Sequence, residues 1–205
     1  MPIFSIDYRL APKNCYPDPI NDAYQGYYWL VTQLKYHMGI CPDKIIVTGD
    51  SAGGHIAIAV TTLAILRGFR IPDGLLLHYP TGNCNKSHFF PSSMLSLDDP
   101  LLNFSLMFYV GTAFTRKGGD SSNNALISPI YTPASIFSRF PKTKILVAEV
   151  DPLRDNGVYM GLNMRKAGVD VKIFYMKEYI HNFNQFDSVT LGIPEYQNAF
   201  EITIA

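Results

Sequence analysis

Apolar residues along this chain alternate between short continuous runs and helical periodicity. Strands are predicted at residues 2–7, 44–48, 75–79, 144–150 and 171–176. The runs at 45–47, 75–77 and 145–148 are unbroken rather than alternating, as expected where helices cover both faces of a parallel sheet. Between strands, Ile20, Ala23, Tyr24, Tyr27, Leu30, Val31 and Leu34 recur at three- and four-residue steps and predict a helix over 20–38, stopped by Gly39. A wholly apolar helix is predicted over 52–66, ending before Gly68 and the Pro72-Asp73-Gly74 turn, and another over 156–167, capped by Gly168. Strand and helix in alternation give an α/β fold, a mostly parallel, doubly wound sheet.

The alternation breaks between residues 81 and 140. Residues 91–100 read as loop, 101–114 as an aromatic-rich helix, and 116–124 as a polar stretch. An insertion of this length in an α/β domain usually carries function. Met94, Leu95, Met107, Phe108, Tyr109 and Phe114 are costly to leave exposed without a ligand or partner, so a lid or substrate wall is expected over 81–140. The aromatics Tyr24, Tyr27, Tyr28 and Trp29 are expected to pack on the core or its rim.

Composition narrows the setting. The 205 residues suit a single domain, 1–205. Seventeen basic residues balance seventeen acidic ones, which gives no electrostatic case for nucleic acid or an anionic membrane surface. Cys15, Cys41 and Cys84 are odd in number and widely spaced, as suits reduced thiols in the cytoplasm better than a disulfide framework. Metal binding by them is not expected. The apolar run 56–66 is too short to span a bilayer, and no basic region with an apolar core marks a signal peptide. The first residues instead read as a buried strand, so a further segment is expected upstream of Met1.

Gly49-Asp50-Ser51-Ala52-Gly53 lies between a predicted strand and a predicted helix, the context of a nucleophile elbow. A side chain two residues before or after the serine is expected to crowd so sharp a turn, which gives Gly49 and Gly53 steric roles. Serine needs a histidine to take its proton and a carboxylate to hold the imidazole tautomer. Asp151 and His181 both follow predicted strands, in the order serine, acid, histidine. Asp155 competes as the acid but is expected to cap a helix. His55 competes as the base but lies along the helix after the elbow. His78 is expected to be packed within its strand, and His37 and His88 to lie at the surface.

Gly49-Asp50-Ser51-Ala52-Gly53-Gly54 resembles the serine motif of the hormone-sensitive lipase branch of the α/β-hydrolases. Residues 4–12, Pro72-Asp73-Gly74, residues 93–102 and Asp151-Pro152-Leu153-Arg154-Asp155 are similar to other blocks of that family, so the likeness spans nearly the whole chain. It implies Ser51 as nucleophile, Asp151 as acid, His181 as base and the Ala52 N–H as an oxyanion donor. It further implies hydrolysis of carboxylic esters, acylglycerols or other lipid esters among them, without a cofactor. The expected partners are an ester substrate and, transiently, lipid surfaces.

Two departures stand out. Asn182 follows the histidine where the family usually has glycine, a mild change because asparagine tolerates left-handed backbone. The upstream His-Gly-Gly segment that supplies oxyanion N–H groups is absent, and Gly118-Gly119 lies on the wrong connection to replace it. The expectation is an N-terminally truncated domain with feeble activity. Its strand at 3–6 must leave a slot in the sheet or pair directly with 44–48. A non-catalytic binding protein on the same scaffold and an inactive remnant are the alternatives; retention of all three candidate residues argues against the first.

Overall fold

The computed structural model describes residues 2–85, 87–115 and 123–185. Four strands, β1 (Ile46–Asp50), β2 (Gly74–His78), β3 (Lys142–Val150) and β4 (Val171–Ile180), form one sheet in the order β1-β2-β3-β4. All three pairings are parallel. Parallel neighbours require crossovers. These are α2 (Ala52–Leu66) between β1 and β2, and α6 (Arg154–Lys166) between β3 and β4. Helix α1 (Asp18–Met38) precedes β1 and ends where Gly39 takes a left-handed φ of 69° and donates its N–H to Lys35.

Each face of the sheet has its own cluster. Leu75, Leu77, Ile145 and Val147 meet Ile58 and Ile65 of α2 and Met160 and Met164 of α6. On the alternate positions, Leu76, Leu146, Ala148 and Met176 cluster with Tyr79, Tyr179 and Phe183. Helix α2 has the sheet on one side and Ile20, Ala23, Tyr24 and Tyr27 of α1 on the other, which explains a helix apolar all round. Tyr24 and Tyr27 are buried against Phe69; Tyr28 stacks on Phe69, and Trp29 on His37, at the rim.

The insertion is more ordered than the sequence suggests. Pro91 opens a short helix, α3 (Pro91–Leu95), inside the stretch expected to be loop, since proline is well placed at a first helical position. Helix α4 (Phe104–Thr115) follows, and a short α5 (Ala134–Phe137) leads back to β3. Gly118 and Gly119, and residues 186–205, lie outside the described residues.

The strand expected at residues 3–6 does not form. Residues 2–10 have no regular structure, and Ile3 is 85% exposed. Among the described residues β1 pairs only with β2, and Ile46 on β1 is half exposed. Neither expected outcome is seen: with no strand at 3–6 there is no slot within the sheet, and β1 is left as its edge. An apolar run specifies burial, not a ladder partner, and α1 takes the available side chain: Ile6 packs against the bare backbone at Gly26. Arg9 fixes the following segment to α1 through a two-pronged ion pair, Nε and Nη2 each 2.7 Å from the Asp22 carboxylate.

Candidate active site

Parallel strands end on the same edge of the sheet, so the residues after β1, β2, β3 and β4 are neighbours. Here they are Ser51, Tyr79, Asp151 and His181. Ser51 sits at φ 51° and ψ −116°, a conformation disfavoured for a residue with a Cβ, and is held there from both sides. Its N–H donates to the His78 carbonyl at 3.0 Å, and its carbonyl accepts from Thr81 N–H at 3.1 Å.

The glycines of the elbow divide differently from expectation. A Cβ at Gly49 would collide with the Gly53 carbonyl and lie 2.8 Å from the Gly54 nitrogen, and one at Gly54 would lie 2.9 Å from Pro80 Cβ. A Cβ at Gly53 would meet nothing closer than Asp50 Oδ1 at 3.9 Å. The steric need therefore falls on Gly49 and Gly54. Gly53 is already in the first turn of α2, where an added Cβ would have room.

The structure brings Ser51, His181 and Asp151 together. Ser51 Oγ is 3.1 Å from His181 Nε2, and His181 Nδ1 is 2.9 Å from Asp151 Oδ2. A carboxylate only accepts, so Nδ1 of a neutral imidazole carries the proton and Nε2 is left to accept from the serine hydroxyl. Asp151 is 1% exposed, and its other oxygen, Oδ1, accepts from Leu153 N–H at 2.7 Å. Asn182, next to the histidine, adopts φ 63°.

The competitors are engaged elsewhere. Asp155 accepts from the Ser92 N–H at 2.8 Å and from Arg154 Nε at 2.8 Å, which holds its carboxyl below the ordinary value against the opposing effect of burial. Buried His55 is hydrogen-bonded through Nε2 to the Leu126 carbonyl at 2.8 Å. Burial pushes its pKa down to about 4, against that bond. His78 is buried, with its pKa lowered by burial, while His37 and His88 are exposed.

A cavity of about 370 Å³ opens beside Ser51 and Ala52. Its walls are mostly apolar, with Phe90, Phe104, Met107, Phe108 and Phe114 of the insertion facing residues 8–12. Ala52 is exposed, and as the first residue of α2 its N–H has no acceptor within the helix. Ser92 and Ser93 both donate their hydroxyls to the Pro152 carbonyl at 2.9 Å, tying α3 to the loop that carries Asp151. No pattern in the chain signals this tie, nor the buried Tyr79, whose ring packs on His181; both depend on which segments the topology makes adjacent. Among the described residues no acidic, histidine and cysteine side chains cluster as metal ligands do, and all three cysteines are free. No helix among those residues is long and apolar enough to cross a membrane.

Comparison with known proteins agrees with the fold. The α/β hydrolase fold family model matches residues 1–185. Carboxylesterase NlhH of Mycobacterium tuberculosis is 32% identical over 194 residues, 94% of this chain and 60% of that protein. Hormone-sensitive lipase of Mus musculus is 38% identical over 115 residues, 56% of this chain and 15% of the lipase. Among solved structures, carboxyl esterase 2 from the mycorrhizal fungus Tuber melanosporum superposes with a TM-score of 0.88 at 29% identity, covering 96% of this chain and 64% of that one. The chain thus spans less than two thirds of each of these relatives. With a parallel sheet, an elbow serine and a family match over most of its length, the chain belongs to the α/β-hydrolase fold family, in the branch that includes hormone-sensitive lipase.

Proposed function

We propose that this chain carries the site of a serine carboxylic ester hydrolase, with Ser51 as nucleophile, His181 as general base and acid, and Asp151 as the carboxylate that holds the imidazole. The observation supporting this reading is the continuous pair of contacts from Ser51 Oγ to His181 Nε2 at 3.1 Å and from His181 Nδ1 to Asp151 Oδ2 at 2.9 Å. Ser51 Oγ attacks the ester carbonyl as its proton passes to Nε2, and the imidazolium that forms is stabilised by Asp151. The Ala52 N–H faces the developing oxyanion. Nε2 then returns the proton to the departing alcohol, leaving an acyl-Ser51 that water cleaves by the same steps in reverse.

The substrate is an ester whose apolar acyl portion lies against Phe104, Met107, Phe108 and Phe114, so the insertion 81–140 acts as the wall or lid of the site within a single domain. Lipid esters, acylglycerols among them, fit such walls, with transient contact at lipid surfaces. Free thiols at Cys15, Cys41 and Cys84 suit a reducing compartment, the cytoplasm.

The test is labelling with an active-site-directed fluorophosphonate, read by intact mass, alongside hydrolysis of short-chain p-nitrophenyl esters. Stoichiometric labelling and turnover, both abolished in Ser51→Ala, are expected. Absence of Ser51-dependent labelling would sink the esterase reading, and cooperative thermal unfolding would then separate a non-catalytic binding protein from an inactive remnant.

A further inference from the structure

The order β1-β2-β3-β4 poses a problem of reach. His181 leaves the end of β4 yet bonds to Ser51 at the end of β1. At the usual spacing of parallel strands those ends are about 14 Å apart, farther than an imidazole extends from its own backbone. The chain must therefore lean back across the sheet. A bulge begins this, because the three residues from Ala148 to Val150 on β3 face the five from Met176 to Ile180 on β4. Within it Glu178 stands at φ 66°, its N–H donating to Glu149 Oε2 at 2.7 Å. Bulges of this kind bend the strand that carries them. What the leaning segment rests on is Tyr79, the residue just past the end of β2.

Tyr79 is wholly buried and stands at φ 36°, a conformation that costs an aromatic residue energy and persists only where the surroundings impose it. Its N–H donates to the Leu146 carbonyl at 2.7 Å. The edge of one ring meets the face of the other between Tyr79 and His181, centroids 4.9 Å apart, and again between Tyr79 and Phe183 at 5.0 Å. The Tyr79 hydroxyl donates to Asn182 Oδ1 at 3.4 Å and takes a backbone hydrogen bond from Asn184. One side chain thus touches each residue of the turn from 181 to 184. On either side of it in the chain, His78 and Thr81 both hydrogen-bond the backbone of Ser51.

We propose that Tyr79 is the positioning residue of this site: its ring sets the plane of the His181 imidazole, and its hydroxyl anchors the turn that carries His181 back across the sheet to Ser51. The inference rests on the esterase reading only for its kinetic consequence. Hydrogen bonds fix the two nitrogens of His181 along the line from Asp151 to Ser51, but a ring held only at those points can still rotate about that line. The edge-to-face contact with Tyr79 removes that freedom. The segment 78–81 then serves as a common mount for nucleophile and base, which keeps their separation fixed when either shifts.

The experiment compares Tyr79→Leu, Tyr79→Phe and Phe137→Leu. Phe137 is a buried aromatic of the opposite sheet face, away from the cavity, and serves as the control for lost core packing. Two readouts are taken: the rate of Ser51 acylation by p-nitrophenyl esters, and the hydrogen-bonded Nδ1–H resonance of His181 by NMR. In Tyr79→Leu, kcat should fall about a hundredfold, the scale of a misplaced catalytic group, while KM stays within about twofold. The Nδ1–H signal should broaden in the same variant. Tyr79→Phe, which keeps the ring, should recover kcat to within about tenfold of the parent, the remaining deficit reflecting the lost hydroxyl anchor. Phe137→Leu should lower the melting temperature yet leave kcat within about twofold and the Nδ1–H signal sharp.

A folded Tyr79→Leu with parental kcat and a sharp Nδ1–H would overturn the proposal, as would equal damage from Phe137→Leu. Should Tyr79→Leu not fold, Tyr79→Phe decides alone: parental kcat and parental Nδ1–H would remove the anchoring role. If the parent itself shows no Ser51-dependent reaction, the esterase reading fails, and the His181 resonance in the same variants still decides whether Tyr79 positions the imidazole.

Discussion

A methyl group added at position 49 would be driven into the backbone of the first turn of α2, against the Gly53 carbonyl and 2.8 Å from the Gly54 nitrogen. Those are main-chain atoms of a buried helix and cannot swing aside, so strand and helix must separate by roughly the missing contact distance, about 1 Å. Overpacking of this kind costs about 1 to 3 kcal/mol. The same movement displaces Ser51, which lies between the two elements at 3.1 Å from His181, and a misplacement of that size costs about a hundredfold in rate. Gly53→Ala is the matched contrast. Its new methyl meets only Asp50 Oδ1 at 3.9 Å, and replacing glycine within a helix stabilises by about 0.5 to 1 kcal/mol. Thermal unfolding and the rate of fluorophosphonate labelling at Ser51 should therefore separate the pair: Gly49→Ala less stable and nearly unreactive, Gly53→Ala as stable as the parent or more so, with its labelling kept. Equal loss in both variants would refute the assignment of the steric role to Gly49 rather than Gly53 and restore the symmetric reading of the motif.

Asp151→Asn should leave the fold intact but offer His181 an amide that can hold the wrong tautomer, lowering kcat by about a thousandfold or more; a loss under about tenfold would point to another acid. Buried His55 gives a pH dependence of stability. Its folded pKa, about 4, lies below the ordinary 6.5, so the unfolded chain binds the extra proton. Stability is then full above pH 6.5 and falls by roughly 3 kcal/mol on the way to pH 4, because a proton held by the unfolded chain alone costs the fold about 1.4 kcal/mol for each pH unit crossed. Urea unfolding at several pH values should show this slope, and His55→Gln should flatten it while leaving the smaller contribution of His78, whose pKa is displaced in the same direction. Asp73→Ala removes the carboxylate that accepts the Ile45 N–H at 2.8 Å at the entrance to β1, and should lower stability by about 1 kcal/mol in the same assay; no change would mean that solvent replaces the bond fully.

How much of this was legible in the sequence depends on what each pattern encodes. Periodicity and unbroken apolar runs record which surfaces avoid water, and the sheet's four strands and the three long helices around it follow from them to within a few residues. The meeting of Ser51, Asp151 and His181 was legible for the same reason, since in a parallel sheet residues at strand ends share an edge whatever lies between them in the chain. Asn182 could be read because few residues accept the left-handed conformation it adopts at φ 63°. Partner identity is not encoded in this way. Residues 3–6 looked like a strand because they are apolar, yet a strand exists only where another edge meets it. Gly53 looked essential because the motif is symmetric about the serine, while the turn is not: one side is a strand under the helix and the other is the helix itself. Tyr79 passed as the last residue of an apolar strand because its importance comes from what the bulge in β4 brings over it.

The insertion shows how wall and chemistry are joined. Helix α3 follows Phe90, a cavity wall residue, and its Ser92 and Ser93 hold the Pro152 carbonyl while Ser92 also exchanges hydrogen bonds with Asp155. Pro152 is adjacent to Asp151, whose carboxylate orients His181. A ligand that pushes on Phe90 therefore pushes on the loop carrying Asp151, through two hydroxyls that are themselves buried. Buried hydroxyls cannot trade partners with water, so the tie transmits displacement instead of absorbing it. The cavity wall at Phe90 and the Asp151–His181 pair become parts of one mechanical unit. Removing whole segments of the insertion would then disturb Asp151 together with the wall. On the proposed esterase reading, chain-length preference should be separable from the Ser51–His181–Asp151 geometry through substitutions on α4, whose hydroxyls at Thr112 and Thr115 bond back to carbonyls of that same helix, those of Phe108 and Gly111.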